Sequence, residues 1–134
     1  MYPPELIAPM KAELADAGFS ELITVDDVNK ALDNPGTTLV AINSVCGCSA
    51  GSMRPAVIAA IENEKTPDNI TTAFAGVDTD AVAHARKFML PYPPSSPSIA
   101  LFKDGKLVMM VERHHIEGNT AEAIAAHLKL AFNE

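Results

Sequence analysis

The sequence has no long polar tract, and this absence argues against an intrinsically disordered chain. Its 134 residues are 48% hydrophobic and 20% charged, which is the composition of an ordinary globular protein. A chain of this length buries enough apolar surface to fold without disulfides or a metal. We therefore expect one domain over residues 1–134.

Clusters of basic residues are also missing. The chain carries 10 Lys and Arg against 17 Asp and Glu, a net charge of −7 with neutral histidines. We therefore expect neither nucleic acid nor an anionic membrane surface as a partner. The sequence shows no signal-peptide pattern and no apolar run approaching the ~20 residues of a membrane span. These features predict a cytoplasmic protein.

Cysteine is scarce, because the chain contains only Cys46 and Cys48. A permanent disulfide between them is not expected in a reducing compartment, and a one-residue loop would constrain the unfolded chain very little. Two small buried hydrophobic residues would be the structural alternative. The placement of the pair around Gly47, between a predicted strand and a predicted helix, instead favours thiol chemistry.

Hydrophobic periodicity predicts a helical extension over residues 1–35. A first helix covers 4–17, and a second begins at Thr24, where Asp27 stands at capping-box spacing. No internal repeat or linker separates this segment from the rest of the chain.

Residues 36–134 form the predicted core, in the order βαβαββα. The predicted elements are a strand over 37–45, a helix from Ser49 or Ser52 to about residue 64, a strand over 70–77, a helix from Asp78 or Thr79 to about residue 88, strands over 98–102 and 107–111, and a last helix opened by Asn119. Asp104-Gly105 predicts a tight hairpin between the last two strands. The fold class is therefore α/β, with a central mixed sheet flanked by helices.

Four motifs carry a resemblance to a known family: Cys46-Gly47-Cys48, Ser95-Ser96-Pro97-Ser98, the run from Pro97 to Lys106, and the run Glu112-Arg113-His114-His115-Ile116-Glu117-Gly118. The element order and the run from Pro97 resemble the thioredoxin superfamily, and together the motifs resemble the bacilliredoxins. The resemblance covers essentially the whole chain. It implies a thioredoxin-like fold and removal of a low-molecular-weight thiol, bacillithiol, from mixed disulfides on client proteins. It also implies no prosthetic cofactor, only a small thiol as co-substrate.

Three departures from thioredoxin itself bear on the activity. The cysteines have Cys-x-Cys spacing, no tryptophan precedes them, and Val40 stands where thioredoxin keeps a buried acid. These departures argue against general disulfide reduction by the thioredoxin route and fit the bacilliredoxins.

The position of Cys46 suits a nucleophile, because exchange requires a thiolate and free cysteine has a pKa near ~8.5. Backbone N–H groups and the following helix should lower the pKa of Cys46. Cys48 lies close enough to attack a mixed disulfide formed at Cys46. Gly47 tolerates the backbone angles of so small a ring, and a strained disulfide is easily reduced.

The superfamily resemblance also implies a substrate-binding surface. Its candidate residues are Gly47, a cis Pro97, the carbonyl of Ser96 and Gly118. Arg113 and Glu117 have two possible roles. They either contact a partner protein or the carboxylates of a small thiol, or they are simply solvated charges.

Two further hypotheses stay open. One is a protein disulfide isomerase or general disulfide oxidoreductase. The other is a metal-binding or redox-sensing module, in which the cysteines would need ligands from His84, His114, His115 or His127. On an extended segment His114 and His115 would point to opposite faces, so we expect no metal. The sequence leaves monomer and homodimer as alternatives.

Overall fold

The computed structural model describes residues 2–134 and contains a five-stranded sheet in the order β1-β3-β2-β4-β5. The strands are β1 (Ser20–Glu21), β2 (Thr37–Asn43), β3 (Asn69–Phe74), β4 (Ser98–Lys103) and β5 (Lys106–Val111). The helices are α1 (Pro4–Ala15), α2 (Val25–Asp33), α3 (Arg54–Ala60), α4 (Thr79–Lys87), α5 (Arg113–Ile116) and α6 (Ala121–Asn133), and a π-helical turn (Ser49–Met53) precedes α3. β1 and β2 run parallel to β3, whereas β4 is antiparallel to β2 and β5. The α/β class with a mixed sheet is therefore confirmed.

Strand β2 is central and buried on both faces, as its apolar run predicts. Leu39 and Ala41 pack in one cluster with residues of α1, α3 and α6. Val40 and Ile42 pack in the other cluster with residues of α2 and α4. The segment that carries the cysteines therefore leaves the sheet from its most enclosed strand.

Strand β1 was not predicted from the sequence. Its two residues, Ser20 and Glu21, are both exposed and carry no strand pattern, yet they pair in parallel with Thr71 and Thr72 of β3. The structure therefore adds a short strand to the helical extension predicted over residues 1–35. The division into an extension and a core at residue 36 stays a prediction, and Met1 lies outside the described residues.

Two predicted helix starts are also wrong. Ser49 is completely buried and bonds to Ser44 instead of capping a helix, and Ser52 donates to the carbonyl of Asn119. The last helix is capped by Thr120, whose hydroxyl accepts the N–H of Ala123 at 3.1 Å. In each case a tertiary or neighbouring contact takes the side chain that sequence spacing had assigned to a cap.

Other local predictions are confirmed. Thr24 and Asp27 form the capping box of α2, and Asp104 and Gly105 both have positive φ in the turn between β4 and β5. The peptide bond between Ser96 and Pro97 is cis. Within residues 2–134, no helix combines the length and the apolarity that crossing a bilayer requires.

Candidate active site

The two cysteines lie in the turn that joins β2 to the π-helical turn. The carbonyl of Cys46 accepts the N–H groups of Ser49 at 2.9 Å and of Ala50 at 3.4 Å, so the helical segment starts directly after Cys46. Both thiols are free and half-buried. Gly47 is exposed, and a side chain at this position would meet no neighbour within 4 Å. The dithiol is therefore open to solvent on one side.

Arg113, the first residue of α5, connects the cysteines to the proline-rich loop. Its guanidinium donates to Sγ of Cys46 at 3.3 Å and to the carbonyl of Ser96 at 3.3 Å. Its Nε donates to the carboxylate of Glu117, an i,i+4 pair along the chain. One side chain therefore joins the predicted nucleophile to the carbonyl that precedes the cis proline.

The pKa of Cys46 is lowered. The largest cause is a hydrogen bond from the thiol of Cys48, followed by one from the backbone N–H of Cys48 and by the positive charge of Arg113, while burial and Glu117 oppose the shift. The direction is the one expected from the sequence. The donors are more specific than expected, because they come from Cys48 and Arg113.

The pKa of Cys48 is raised, first by burial and then by its hydrogen bond to Cys46 and the negative charge there. The two thiols are thus unequal although they are two residues apart. At neutral pH the sulfur of Cys46 carries more thiolate, and Cys48 holds a proton. Such a pair suits thiol–disulfide exchange, because the thiolate of Cys46 can attack a disulfide while the thiol of Cys48 stays protonated until the second step.

The remaining predicted substrate residues lie on the cis-proline loop and on the loop between α5 and α6. Ser96 is half-buried and Pro97 is buried. Gly118 has a φ of 78° in the loop between α5 and α6. The carbonyl of the next residue, Asn119, accepts a hydrogen bond from the hydroxyl of Ser52, which lies in the π-helical turn that follows the cysteines. Their roles in binding stay predictions, and the structure adds that Arg113 already occupies the carbonyl of Ser96.

Sequence reasoning did not place two arginines at the site. For Arg113 the sequence allows both a partner contact and a solvated charge. Its contact with Cys46 depends on α5, a helix of four residues that is too short to show a periodicity. Arg54 is buried below the turn, at 2% exposure, although arginine in a sequence normally indicates surface. The position of Arg113 in the run from Glu112 to Gly118 offered only a weak signal for its role, and nothing in the sequence marked Arg54.

The prediction that His114 and His115 lie on an extended segment is wrong. His114 and His115 lie on α5 and not on an extended segment, and their ring centroids are 4.0 Å apart with the planes tilted by 53°. With Glu112 they bring three potential ligand atoms within 4.8 Å of one another. However, Nδ1 of His115 already accepts the N–H of Glu112 at 3.1 Å. Across residues 2–134, the cysteines belong to no such group of three ligands.

The other two histidines, His84 and His127, are not part of this group of three possible ligands. His84 hydrogen-bonds to Asn29 at 2.7 Å, between α4 and α2. His127 lines a cavity of about 440 Å³ that His115 and Asn119 also line. The hypothesis of a metal module built on the cysteines therefore gains no support from their surroundings.

Comparison with known proteins identifies the family. A family model described as disulphide isomerase matches residues 2–134. A bacilliredoxin of Cytophaga hutchinsonii is 58% identical over 134 residues, which cover 100% of this chain and 99% of that protein. A bacilliredoxin of Geobacillus kaustophilus is 48% identical over 130 residues, or 97% of this chain and 90% of that protein. The chain belongs to the bacilliredoxin family.

Solved structures show the fold independently. Mitochondrial thioredoxin 3 of Saccharomyces cerevisiae, in its oxidized form, superposes with a TM-score of 0.59 at 14% identity, covering 91% of this chain and 97% of that one. A thioredoxin of Halobacterium salinarum gives 0.58 at 18% identity, covering 88% and 93%. The fold is that of thioredoxin. Membership of the bacilliredoxin family, together with the Cys-x-Cys pair, makes the chain a thiol–disulfide oxidoreductase.

Proposed function

We propose that the chain removes a low-molecular-weight thiol from mixed disulfides on client proteins, with Cys46 as the nucleophile. The observation that carries this proposal is the sulfur of Cys46, which receives hydrogen bonds from Arg113 and Cys48 in a partly open turn. A sulfur with these donors holds more thiolate than a free cysteine, and the thiolate is the attacking species.

The reaction consists of two exchanges. The thiolate of Cys46 attacks the sulfur of the small thiol, the client's sulfur leaves as a thiolate and takes up a proton, and the adduct now sits on Cys46. Cys48 then loses its proton and attacks Sγ of Cys46, which releases the small thiol and leaves a Cys46–Cys48 disulfide. Alternatively a second small thiol attacks the adduct, which releases a disulfide of two small thiols and returns Cys46 as a thiolate. No prosthetic group takes part in either route.

The client is proposed to lie along the cis-proline loop as an extended segment. The carbonyl of Ser96, which has a second lone pair besides the one that Arg113 uses, would accept an N–H of this segment beside Pro97, with Gly47 and Gly118 bordering the surface. Neither glycine has a side chain to obstruct an approaching chain. We propose bacillithiol as the small thiol because the relatives are named bacilliredoxins. We also propose a cytoplasmic location, which would supply both the small thiol and the client proteins.

Disulfide isomerisation is the second candidate, and the description of the matching family model favours it. The same thiolate would attack a protein disulfide instead of a mixed one, and the chain would later release the rearranged client. The two activities differ in the sulfur that Cys46 attacks. Recovery of activity from a scrambled-disulfide substrate therefore measures the second candidate separately.

Mass spectrometry tests the main proposal. The protein is incubated with a client that carries bacillithiol in a mixed disulfide, and its intact mass is recorded. Cys48→Ser should acquire the mass of one bacillithiol, because the adduct on Cys46 has no partner thiol to release it. Cys46→Ser, the matched control, should stay unmodified while the client keeps its adduct. An unmodified Cys48→Ser variant, or an adduct on Cys46→Ser alone, would refute the proposal.

A further inference from the structure

Arg54 is the first residue of α3, and its side chain is buried. A buried guanidinium is costly unless its N–H groups find several acceptors. The proposed exchange steps make no use of this charge. Its position below the cysteine turn therefore calls for a separate explanation.

Three acceptors hold the guanidinium of Arg54. Its Nε donates to the carboxylate of Glu13 at 3.1 Å, and its Nη1 donates to Oδ1 of Asn43 at 2.9 Å and to the carbonyl of Ser44 at 3.1 Å. Glu13 belongs to α1, and Asn43 is the last residue of β2. The arginine thus ties helix α1 and the end of the central strand to helix α3.

The hydrogen bonds continue from these acceptors to Cys46. Oδ1 of Asn43 also accepts the N–H of Ser44 at 2.9 Å. The hydroxyl of Ser44 accepts the N–H of Cys46 at 3.2 Å and bonds to the hydroxyl of Ser49 at 2.8 Å. We call Glu13, Asn43, Ser44, Ser49 and Arg54 the Arg54 network. Except for Glu13, its members are buried, so water is a poor substitute for these bonds.

The π-helical turn directs Arg54 into this position. The N–H of Arg54 bonds to the carbonyl of Ser49, five residues earlier, where an α-helix would use the carbonyl four residues earlier. One extra residue in the turn rotates everything after it by roughly 100° about the helix axis. Such turns are frequent at functional sites. Here the rotation occurs just before Arg54, whose charged side chain is directed to Asn43 and Ser44, the residues that precede the cysteine turn.

We propose that Arg54 is a positioning residue of the active site: through the Arg54 network it fixes the backbone of Cys46 so that the sulfur faces Cys48 and Arg113. This inference rests on the proposed role of Cys46 as the nucleophile. Without the network, Ser44 is free to move, and the N–H of Cys46 loses its partner. The sulfur then meets its hydrogen-bond donors only part of the time.

The test measures how the alkylation of Cys46 depends on pH. The reduced full-length protein is treated with iodoacetamide, and the label on Cys46 is located by peptide mass spectrometry. In Arg54→Met, which keeps much of the length without the charge, the midpoint should move up toward the ~8.5 of free cysteine. Below both midpoints the alkylation rate falls by about tenfold for each unit of that shift. Arg54→Lys should move it less, because a lysine keeps the charge and some of the bonds.

Val28→Ala is the control for a loss of stability alone. Val28 is fully buried in α2, in the cluster on the other face of the sheet, and has no bond to the turn. It should lower the melting temperature and leave the midpoint unchanged. An Arg54→Met variant that behaves in the same way, less stable but with the wild-type midpoint, would overturn the proposal.

Glu13→Gln keeps the proposal testable if Arg54→Met does not fold. Glu13 is 46% exposed at its side chain and receives one of the three bonds from Arg54. Its substitution should produce a smaller midpoint shift in the same direction, and a wild-type midpoint would count against the inference. The alkylation assay contains neither client nor bacillithiol. A shifted midpoint without adduct transfer would therefore uphold positioning while rejecting the proposed exchange.

Discussion

The two ends of strand β2 are held by different kinds of hydrogen bond. At its start, the N–H of Gly36 donates to Asp104 at 2.8 Å and the N–H of Thr37 donates to Asp68 at 2.9 Å, and both acceptors are exposed. At its end, Asn43 and Arg54 bond to each other in the buried network. The first end connects loops, and the second carries the cysteines.

This difference indicates at which end of β2 the loss of a hydrogen bond destabilises the protein most. A polar group that loses its partner at the exposed start of β2 is hydrated again, so the free energy of unfolding falls only a little. At the buried end the same loss leaves donors and acceptors without water, and the desolvation penalty is paid in full. The cysteine turn is therefore attached to the end of the strand at which hydrogen bonds are most costly to break.

The largest expected effect comes from Asn43→Leu at the buried end. This change leaves Nη1 of Arg54, the N–H of Ser44 and the carbonyl of Met10 each without the Asn43 partner. We expect the free energy of unfolding to fall by at least about 2 kcal/mol, measured by urea denaturation. A loss below about 0.5 kcal/mol, the range of ordinary surface substitutions, would remove the contrast between the two ends.

Arg113→Gln should change chemistry at the same end without a comparable loss of stability. The charge of Arg113 lowers the pKa of Cys46, so its removal raises that pKa. Alkylation of Cys46 at neutral pH should slow by about three- to tenfold and recover as the pH rises above the new pKa. An unchanged pH profile would show that the contact with Sγ has no electrostatic consequence.

Asp68→Ala tests the exposed end of the strand. It removes the acceptor for the N–H of Thr37, and solvent can replace that acceptor. We expect a loss of only about 1 kcal/mol in urea unfolding and the wild-type alkylation midpoint at Cys46. A loss as large as that of Asn43→Leu, or a shifted midpoint, would mean that the two ends are not energetically distinct.

The smallest expected effect belongs to Glu117→Gln. The carboxylate of Glu117 raises the pKa of Cys46, the reverse of the effect of Arg113. Its neutralisation should therefore move the alkylation midpoint to lower pH, by less than Arg113→Gln moves it up, because Arg113 contacts Sγ of Cys46 directly and its charge has the larger effect of the two. A midpoint that rises instead would show that Glu117 acts mainly by holding Arg113 in place.

The fold was predictable to the extent that it depends on local patterns. The apolar run of β2, the Asp104-Gly105 turn and the capping box at Thr24 each carry their own signal. β1 carries none, because a strand of two exposed residues is created by its pairing with β3. Short elements of this kind depend on tertiary contacts that a pattern along the chain does not contain.

The two cysteines of the site could be predicted from the sequence, but the arginines that hydrogen-bond around them could not. Two cysteines around a glycine at a strand–helix junction indicate thiol chemistry directly. The contacts of Arg113 with Cys46 and of Arg54 with Asn43 join residues 67 and 11 positions apart, respectively. The second also depends on the π-helical turn, and neither charged residue differs in sequence from an ordinary surface arginine.

Labelling both cysteines competitively is the most direct test of the central claim, that the two thiols of the turn are unequal. The reduced protein is treated with limiting iodoacetamide at a series of pH values, and fragment ions locate the label within the peptide that contains both residues. The lowered pKa of Cys46 and the raised pKa of Cys48 predict that label enters Cys46 first, down to pH values at which a free cysteine reacts little. Equal labelling, or labelling of Cys48 first, would contradict the account.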